Sequence, residues 1–246
     1  MRFLRRSRRL SPVSVATYLT AVRRLCEHMV VRGTLRTNPA RGVTSYQRPR
    51  VHTHAPLSSK EVGKLLAAVH GGDELSLRDA VLIRLMLHCA LTESEAIRAN
   101  ISDVDWRNGT LAVQGKGRKG KDAAVLLPRT VRLALTRYLS GRAHAAPDAP
   151  LVVTAGNSSR GRRMTTRAVR DRVNMYLQEC GIRRGSGDSA VAAYSLRLTA
   201  ALLLRDRGAT PEEIRKQLRL GTLTTARLYL NARPLAAGKA SPTGIV

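Results

Sequence analysis

Three side chains with chemical capacity stand in order along this sequence. Lys116 lies between two glycines in Gly115-Lys116-Gly117. Arg197 lies in Tyr194-Ser-Leu-Arg197-Leu-Thr-Ala-Ala201, and Tyr229 ends Leu223-Thr-Thr-Ala-Arg-Leu-Tyr229. A guanidinium pairs bidentately with a phosphate or carboxylate, and an ammonium and a phenol each hold a proton to give. Singly, each has a plainer reading: a solvated lysine at a hairpin tip, a packing tyrosine on a short helix. Cations cluster around them. Arg118, Lys119 and Lys121 follow Lys116, while Arg160, Arg162, Arg163, Arg167, Arg170 and Arg172 are interrupted by one acid, Asp171. The second cluster falls at a helix start, where the dipole disfavours cations. That placement argues for an anionic partner touching Arg162, Arg163 and Arg167, against the alternative of a solvated charged face. The hairpin cations Arg118, Lys119 and Lys121 read the same way.

The chain has 246 residues, with 43 Lys and Arg against 17 Asp and Glu, a formal charge of +26. Such an excess implies a polyanionic partner, most commonly nucleic acid. Aromatic residues are only 3% of the chain, which argues against a base-stacking RNA platform. Cys26, Cys89 and Cys180 are odd in number and far apart, so a disulfide scaffold and a thiolate zinc site are not expected. His52 and His54 are too sparse for a metal site, and no cofactor is expected. No apolar run approaches the roughly 18 residues of a membrane span, and no apolar core follows the Arg-rich start. The expectation is a cytoplasmic, nucleoid-associated protein that avoids membranes.

The elements that must position these residues are mostly helical. Ser11 to Gly33 reads as one helix, capped by Ser11 and stopped by Gly33. Its expected buried stripe is Val15, Tyr18, Leu19, Val22, Leu25, Cys26, Met29 and Val30, with Arg23, Arg24 and Arg32 facing out. Thr34 to Pro56 reads as an extended basic linker, and the domain boundary is placed there, with units 1–50 and 51–246. Helices are expected from Ser58 to about His70, from Ser76 to Cys89 and near Ser94–Arg98. A period-two stretch follows, in which Val104, Trp106, Leu111, Val113, Val125 and Leu127 alternate around Asn108-Gly109, a strong hairpin signal. After Pro128, helices are expected near 130–142, 165–180, 194–207, 211–219 and 223–231. The fold class is mainly α with a small antiparallel sheet.

In that order and setting, the motifs resemble the tyrosine recombinases, the phage-integrase and Xer-type family, over about Ser11 to Ala232. Leu91-Thr-Glu-Ser-Glu95 followed by Ser102-Asp-Val-Asp-Trp106 is similar to the family's first box, usually G-L-R-x-S-E-L and then D-I-D. Residues 108–128 resemble its β-hairpin with an active lysine, 194–201 its H-x-L-R-H-T-x-A box, and 223–229 its tyrosine box. The resemblance implies a catalytic domain over 51–246, preceded by a truncated helical core-binding domain.

It also implies a reaction. A tyrosine attacks a DNA phosphate in line and leaves a 3′-phosphotyrosyl bond, without metal or ATP. Two arginines clamp the charged transition state, a lysine protonates the departing 5′ oxygen, and histidines assist proton transfer. Tyr229, Arg197 and Lys116 match the nucleophile, second arginine and lysine. Three positions depart: Thr92 replaces the first arginine, Tyr194 the first histidine and Leu220 the late His or Trp, with Arg219 at the preceding glycine. Loss of one preorganised donor costs about 10²–10³ in rate, so impaired cleavage is expected. Arg98 and Arg84 are the candidates to compensate. Double-stranded DNA is the implied partner, with tetramer assembly or an active recombinase partner also implied; residues 233–246 read either as the tail such tetramers pass to a neighbour or as a frayed end. The rival readings are a non-catalytic DNA-binding accessory protein and a basic RNA-binding protein.

Overall fold

Ser11 opens helix α1 (Pro12–Val31) by accepting the Ser14 N–H at 3.2 Å, and Pro12 occupies the first turn, where an N–H is not needed. Gly33 follows its end at φ +73°, a conformation that a Cβ disfavours. The computed structural model describes residues 10–45, 54–115, 117–156, 160–184 and 190–232. Lys116, His52 and the tail 233–246 therefore lie outside the described residues. By internal contacts the chain forms two units, 1–50 and 51–246.

Within the first unit the expected stripe is corrected. Val15 and Leu19 are buried, with Ala16, but Tyr18, Val22 and Leu25 are exposed. Residues 34–43 are also not an extended linker. They fold back on α1 in turns, because Arg23 donates to the carbonyls of Ala40 (3.0 Å), Arg41 (3.5 Å) and Val43. Asn38 Nδ2 donates to the Arg23 carbonyl at 3.0 Å and to Glu27 at 2.8 Å. Arg23, expected to face out toward phosphate, is thus engaged in holding its own loop, while Arg24 is exposed.

The second unit is mainly helical with one small sheet. Helices α2 (Ser59–Ala68), α3 (Glu74–His88) and α4 (Glu93–Arg98) are each opened by a side-chain cap, from Ser58, Asp73 and Thr92. A 3₁₀ turn (Ile101–Asp103) leads into β1 (Val104–Asp105), β2 (Thr110–Val113) and β3 (Ala123–Leu126). These strands pair antiparallel in the order β1-β2-β3, with Val104 opposite Leu111 and Thr110 opposite Leu126. Asp105 accepts the Asn108 N–H at 2.9 Å, and Gly109 takes φ +62°, closing the first hairpin. Trp106, expected inward, is 45% exposed because it falls in that turn. Helices α5 (Arg129–Ser140), α6 (Thr166–Glu179), α7 (Ala193–Asp206), α8 (Pro211–Gln217) and α9 (Leu223–Leu230) complete the unit.

Two apolar clusters hold these elements. The larger is built on α3, which is buried nearly all round through Val81, Leu82, Ile83, Leu85 and Met86, as suits a central helix. Helices α5 and α7 pack against it. The smaller joins Ala90 to Leu198, Ala200 and Ala201 of α7, Ile214 of α8, Leu218 and Tyr229. Among the described residues, no helix is long and apolar enough to cross a membrane.

Where α3 meets α5, His88 lines a cavity of about 260 Å³ with Arg84, Leu133 and Arg137. Burial, and then the charges of Arg207 and Arg84, push its imidazole down from 6.5 to about 4. The folded state therefore refuses a proton that the unfolded chain accepts. Stability from this group is complete above pH 6.5 and drains away as the pH falls toward about 4. Urea midpoints measured between pH 7 and pH 5 should fall for the wild type and stay flatter for His88→Asn. Parallel slopes for the two proteins would exclude His88 as the source.

Candidate active site

The site is assembled around Ala90, on the segment linking α3 to α4, and Glu95, in the first turn of α4. Thr92 caps α4 by accepting the Glu95 N–H at 3.3 Å, and Glu95 Oε2 accepts the Thr92 N–H at 2.8 Å. This reciprocal box is a local consequence of Thr92-Glu-Ser-Glu95. It fixes the Glu95 carboxylate in the interior, where Glu95 is 4% exposed.

Two arginines converge on that carboxylate. Arg197, on α7 and 6% exposed, reaches Glu95 Oε2 at 3.3 Å and the Ala90 carbonyl at 2.5 Å, and also donates to the Leu218 carbonyl. Arg219, just after α8, brings Nε to Glu95 Oε1 at 2.7 Å and Nη2 to Oε2 at 2.7 Å. Its Nη2 also donates to the Ala90 carbonyl at 2.8 Å, and Nη1 donates to the Gln217 carbonyl at 2.5 Å. Burial raises the Glu95 carboxyl, but Arg219's hydrogen bonds and charge, with the charge of Arg197, outweigh it and hold the group below its usual range. The cluster carries two guanidiniums against one carboxylate, so it is cationic by one charge in a largely dry setting.

Tyr194 stands one turn before Arg197 on α7, and its hydroxyl hydrogen-bonds the Tyr229 hydroxyl of α9. The rings meet at 6.4 Å between centroids, and Tyr194 also faces the His54 ring at 5.4 Å. Burial, then the contact with Tyr229, pushes the Tyr194 phenol well above 10, so it stays protonated at neutral pH. It can donate a hydrogen bond but cannot shuttle a proton there. Tyr229 itself is 3% exposed. Leu220 packs against the same cluster and offers only apolar surface beside it.

The fold thus brings together Arg197, Tyr229, Thr92, Tyr194 and Leu220, which lie as far as 137 residues apart in number from Thr92 to Tyr229. Neither candidate for compensation belongs to the group. Arg98 is exposed at the end of α4, and Arg84 lines the cavity beside His88. Arg219 was legible in the sequence as the residue at the glycine position before Leu220 but not as a compensating cation, although its proximity to the Tyr229 segment could have flagged it. Ala90 and Arg219 are the two non-glycine residues with positive φ among those described, at +53° and +54°. Both therefore hold a conformation that costs a Cβ-bearing residue roughly 1–2 kcal/mol, and they are hydrogen-bonded to each other at the site.

The cations expected to meet a polyanion divide into two groups. Arg163 donates to the carbonyls of Ile97 and Ala99 and to Asn100 Oδ1 (2.6 Å), and Lys121 pairs with Asp103. These two fasten loops of their own unit, because nearby carbonyls and a carboxylate offer closer partners than solvent does. Lys119 and Arg162 are exposed, and Arg118 and Arg167 make only exposed i,i+4 pairs, at 3.2 Å to Asp122 and 3.6 Å to Asp171. Such surface pairs contribute little and are readily exchanged.

The model of the Phage integrase family matches residues 56–235. The chain is 29% identical over 222 residues to the tyrosine recombinase XerC of Proteus mirabilis, spanning 89% of this chain and 68% of that one. It is 30% identical to XerC of Yersinia pestis over 218 residues, spanning 88% and 67%. Among solved structures, XerA recombinase superposes with a TM-score of 0.60 at 23% identity, covering 93% of this chain and 74% of that one. A lambda integrase dimer bound to a COC′ core site gives 0.67 at 15% identity, covering 94% and 63%.

Proposed function

Since the chain belongs to the phage integrase family, we propose that it binds double-stranded DNA and acts in site-specific recombination. In this reading, the Tyr229 phenol oxygen bonds to the phosphorus of a scissile diester while the bond to the 5′ oxygen breaks. Its phenolic proton passes to water, and the departing oxygen takes a proton from Lys116. The diester is kept as a 3′-phosphotyrosyl bond, so the reverse attack reseals the strand without external energy. Residues 51–246 serve as the catalytic-type unit and residues 1–50 belong to a second DNA-holding unit. Arg24, Arg118, Lys119, Arg162 and Arg167 supply backbone contacts, whose loss lowers affinity uniformly and weakens its salt dependence.

The observation that carries this reading is the junction of Tyr229, Tyr194 and Arg197 at one buried cationic cluster. XerC relatives are named tyrosine recombinases, and a XerH structure is described as bound to its palindromic difH substrate after cleavage. Cleavage is impaired in this reading. Thr92 cannot reach a phosphate bidentately, Tyr194 replaces a proton-transfer group with a phenol held neutral, and Leu220 offers no donor. The rate falls by at least about a hundredfold against a complete site.

A second reading, DNA holding without cleavage, is favoured by one observation. The Tyr229 hydroxyl is hydrogen-bonded to Tyr194, and Arg197 already serves two carbonyls and Glu95. Covalent trapping on nicked duplexes taken from the gene's own flanking DNA decides between the two. An adduct that survives denaturation and is lost in Tyr229→Phe is the expected result. Duplex binding with no adduct, unchanged by Tyr229→Phe, would leave only the holding function. Equal affinity for duplex DNA and RNA would overturn both.

A further inference from the structure

The buried cluster at Glu95 has one cation more than it needs. Arg219 alone satisfies both oxygens of Glu95, through Nε at 2.7 Å and Nη2 at 2.7 Å. Arg197 reaches the same carboxylate only at 3.3 Å and otherwise rests on the carbonyls of Ala90 and Leu218. A surplus guanidinium charge away from water is stabilised by carbonyl dipoles only in part, and an entering anion would complete it. Tyr194 and Tyr229 belong to the same cluster, and their hydroxyls hydrogen-bond each other beside it.

Backbone geometry adds a second, independent sign. Arg219 sits at φ +54°, where glycine would be unstrained, so the side chain is held there at a conformational cost. The side chain reaches Glu95, three residues from Thr92, which brings no charge of its own. Thr92 caps the helix that carries Glu95, and its short neutral side chain goes no further than Ser94 and the Glu95 N–H.

We infer that Arg219 supplies, together with Arg197, the paired guanidiniums that hold a DNA phosphodiester at this site, with Glu95 as the carboxylate that positions both. This rests on the DNA-binding reading above and does not require that cleavage occur. On phosphate entry Arg197 exchanges carbonyl partners for phosphate oxygens, and Arg219 offers its remaining Nη1 hydrogen while staying fixed on Glu95.

Arg219→Gly, Arg219→Lys and the double variant Thr92→Arg/Arg219→Gly test this, with melting curves to confirm folding. Duplex affinity is measured against salt concentration, and the adduct rate on nicked duplex is measured in parallel. The Gly variant should flatten the log–log salt slope by about one and cut adduct formation at least about a hundredfold. The Lys variant should keep the slope but not the rate, since an ammonium is a single point donor. The double variant should recover both, because the restored guanidinium again stands beside Glu95. A folded Gly variant with the wild-type slope and rate overturns the inference. If the wild type forms no adduct, the cleavage reading fails alone and the salt slopes still judge Arg219. If the Gly variant does not fold, a Lys variant with the wild-type adduct rate overturns the paired clamp, and a double variant that folds and binds with the wild-type slope supports it.

Discussion

Glu95→Gln is expected to lower folding stability by about 3–5 kcal/mol, the cost typical of breaking a buried ion pair from one side. The magnitude follows from what stays behind. Arg197 and Arg219 have side chains 7% and 8% exposed, and Glu95 is the carboxylate that meets both. Gln keeps the volume and one carbonyl oxygen, but its amide nitrogen would face guanidinium donors. The Thr92 N–H also loses its charged acceptor, and with it half of the α4 cap. Urea unfolding at pH 7 measures the loss, and an effect under about 1 kcal/mol would mean that solvent already screens the cluster. The pH dependence is a second check. Because Arg219 and Arg197 hold the Glu95 carboxyl below its ordinary 4.5, its contribution is complete above that value and is lost as the pH falls through the lower folded one. The Gln variant should lack that acid-limb loss.

Asp79→Asn is expected to be as damaging, again about 3–5 kcal/mol, yet to leave the chemistry alone. Asp79 is 1% exposed on α3. Its Oδ1 accepts Arg78 Nε at 2.9 Å and Nη2 at 2.7 Å, and its Oδ2 accepts Arg172 Nε at 2.9 Å and Nη2 at 2.5 Å. Arg78 continues to the Val153 carbonyl at 3.3 Å, so a single carboxylate ties α3 to α6 and to the segment at 153. Neutralising it strands two guanidiniums, one of them almost wholly buried. Below its own melting temperature, however, Asp79→Asn should retain duplex affinity and any adduct formation. Glu95→Gln should lose both in the folded state, since it releases the two arginines inferred to hold phosphate. Equal losses of binding in the two folded variants would place Glu95 among merely structural residues.

Most of the helical architecture could be read directly from the chain because its determinants are local. Ser11-Pro12 opens α1, Thr210-Pro-Glu-Glu213 opens α8 with a reciprocal cap, and Asn108-Gly109 turns the first hairpin. Each signal acts within four residues, which is the reach of a cap or a tight turn. The inward faces of α3 and of β2 followed from period 3.6 and period 2 for the same reason. The stripe on α1 did not hold throughout, because periodicity shows which face is apolar but not whether anything covers it. Residues 34–43 read as extended because neither Gly nor Pro signals can anticipate an arginine seventeen residues upstream gathering their carbonyls.

The candidate site divides along the same line. The local motifs around Tyr229, Arg197 and Thr92 carried the resemblance to a DNA-cleaving family, and the absence of arginine at 92 was visible as a single letter. Motif spacing could not tell which other cation stands near Glu95. Arg84 and Arg98 lie closer to it in sequence, yet one lines the His88 cavity and the other faces solvent, while Arg219 arrives from 124 residues away. Likewise Arg162 and Arg163 are adjacent and chemically identical, but only Arg163 finds the 97–100 loop within reach. Caps, turns and apolar periods are properties of a few consecutive residues and are written in the chain. The partner of a long charged side chain is chosen by whichever carboxylate or carbonyl the packed helices bring within about 3 Å, and that choice exists only once the helices have met.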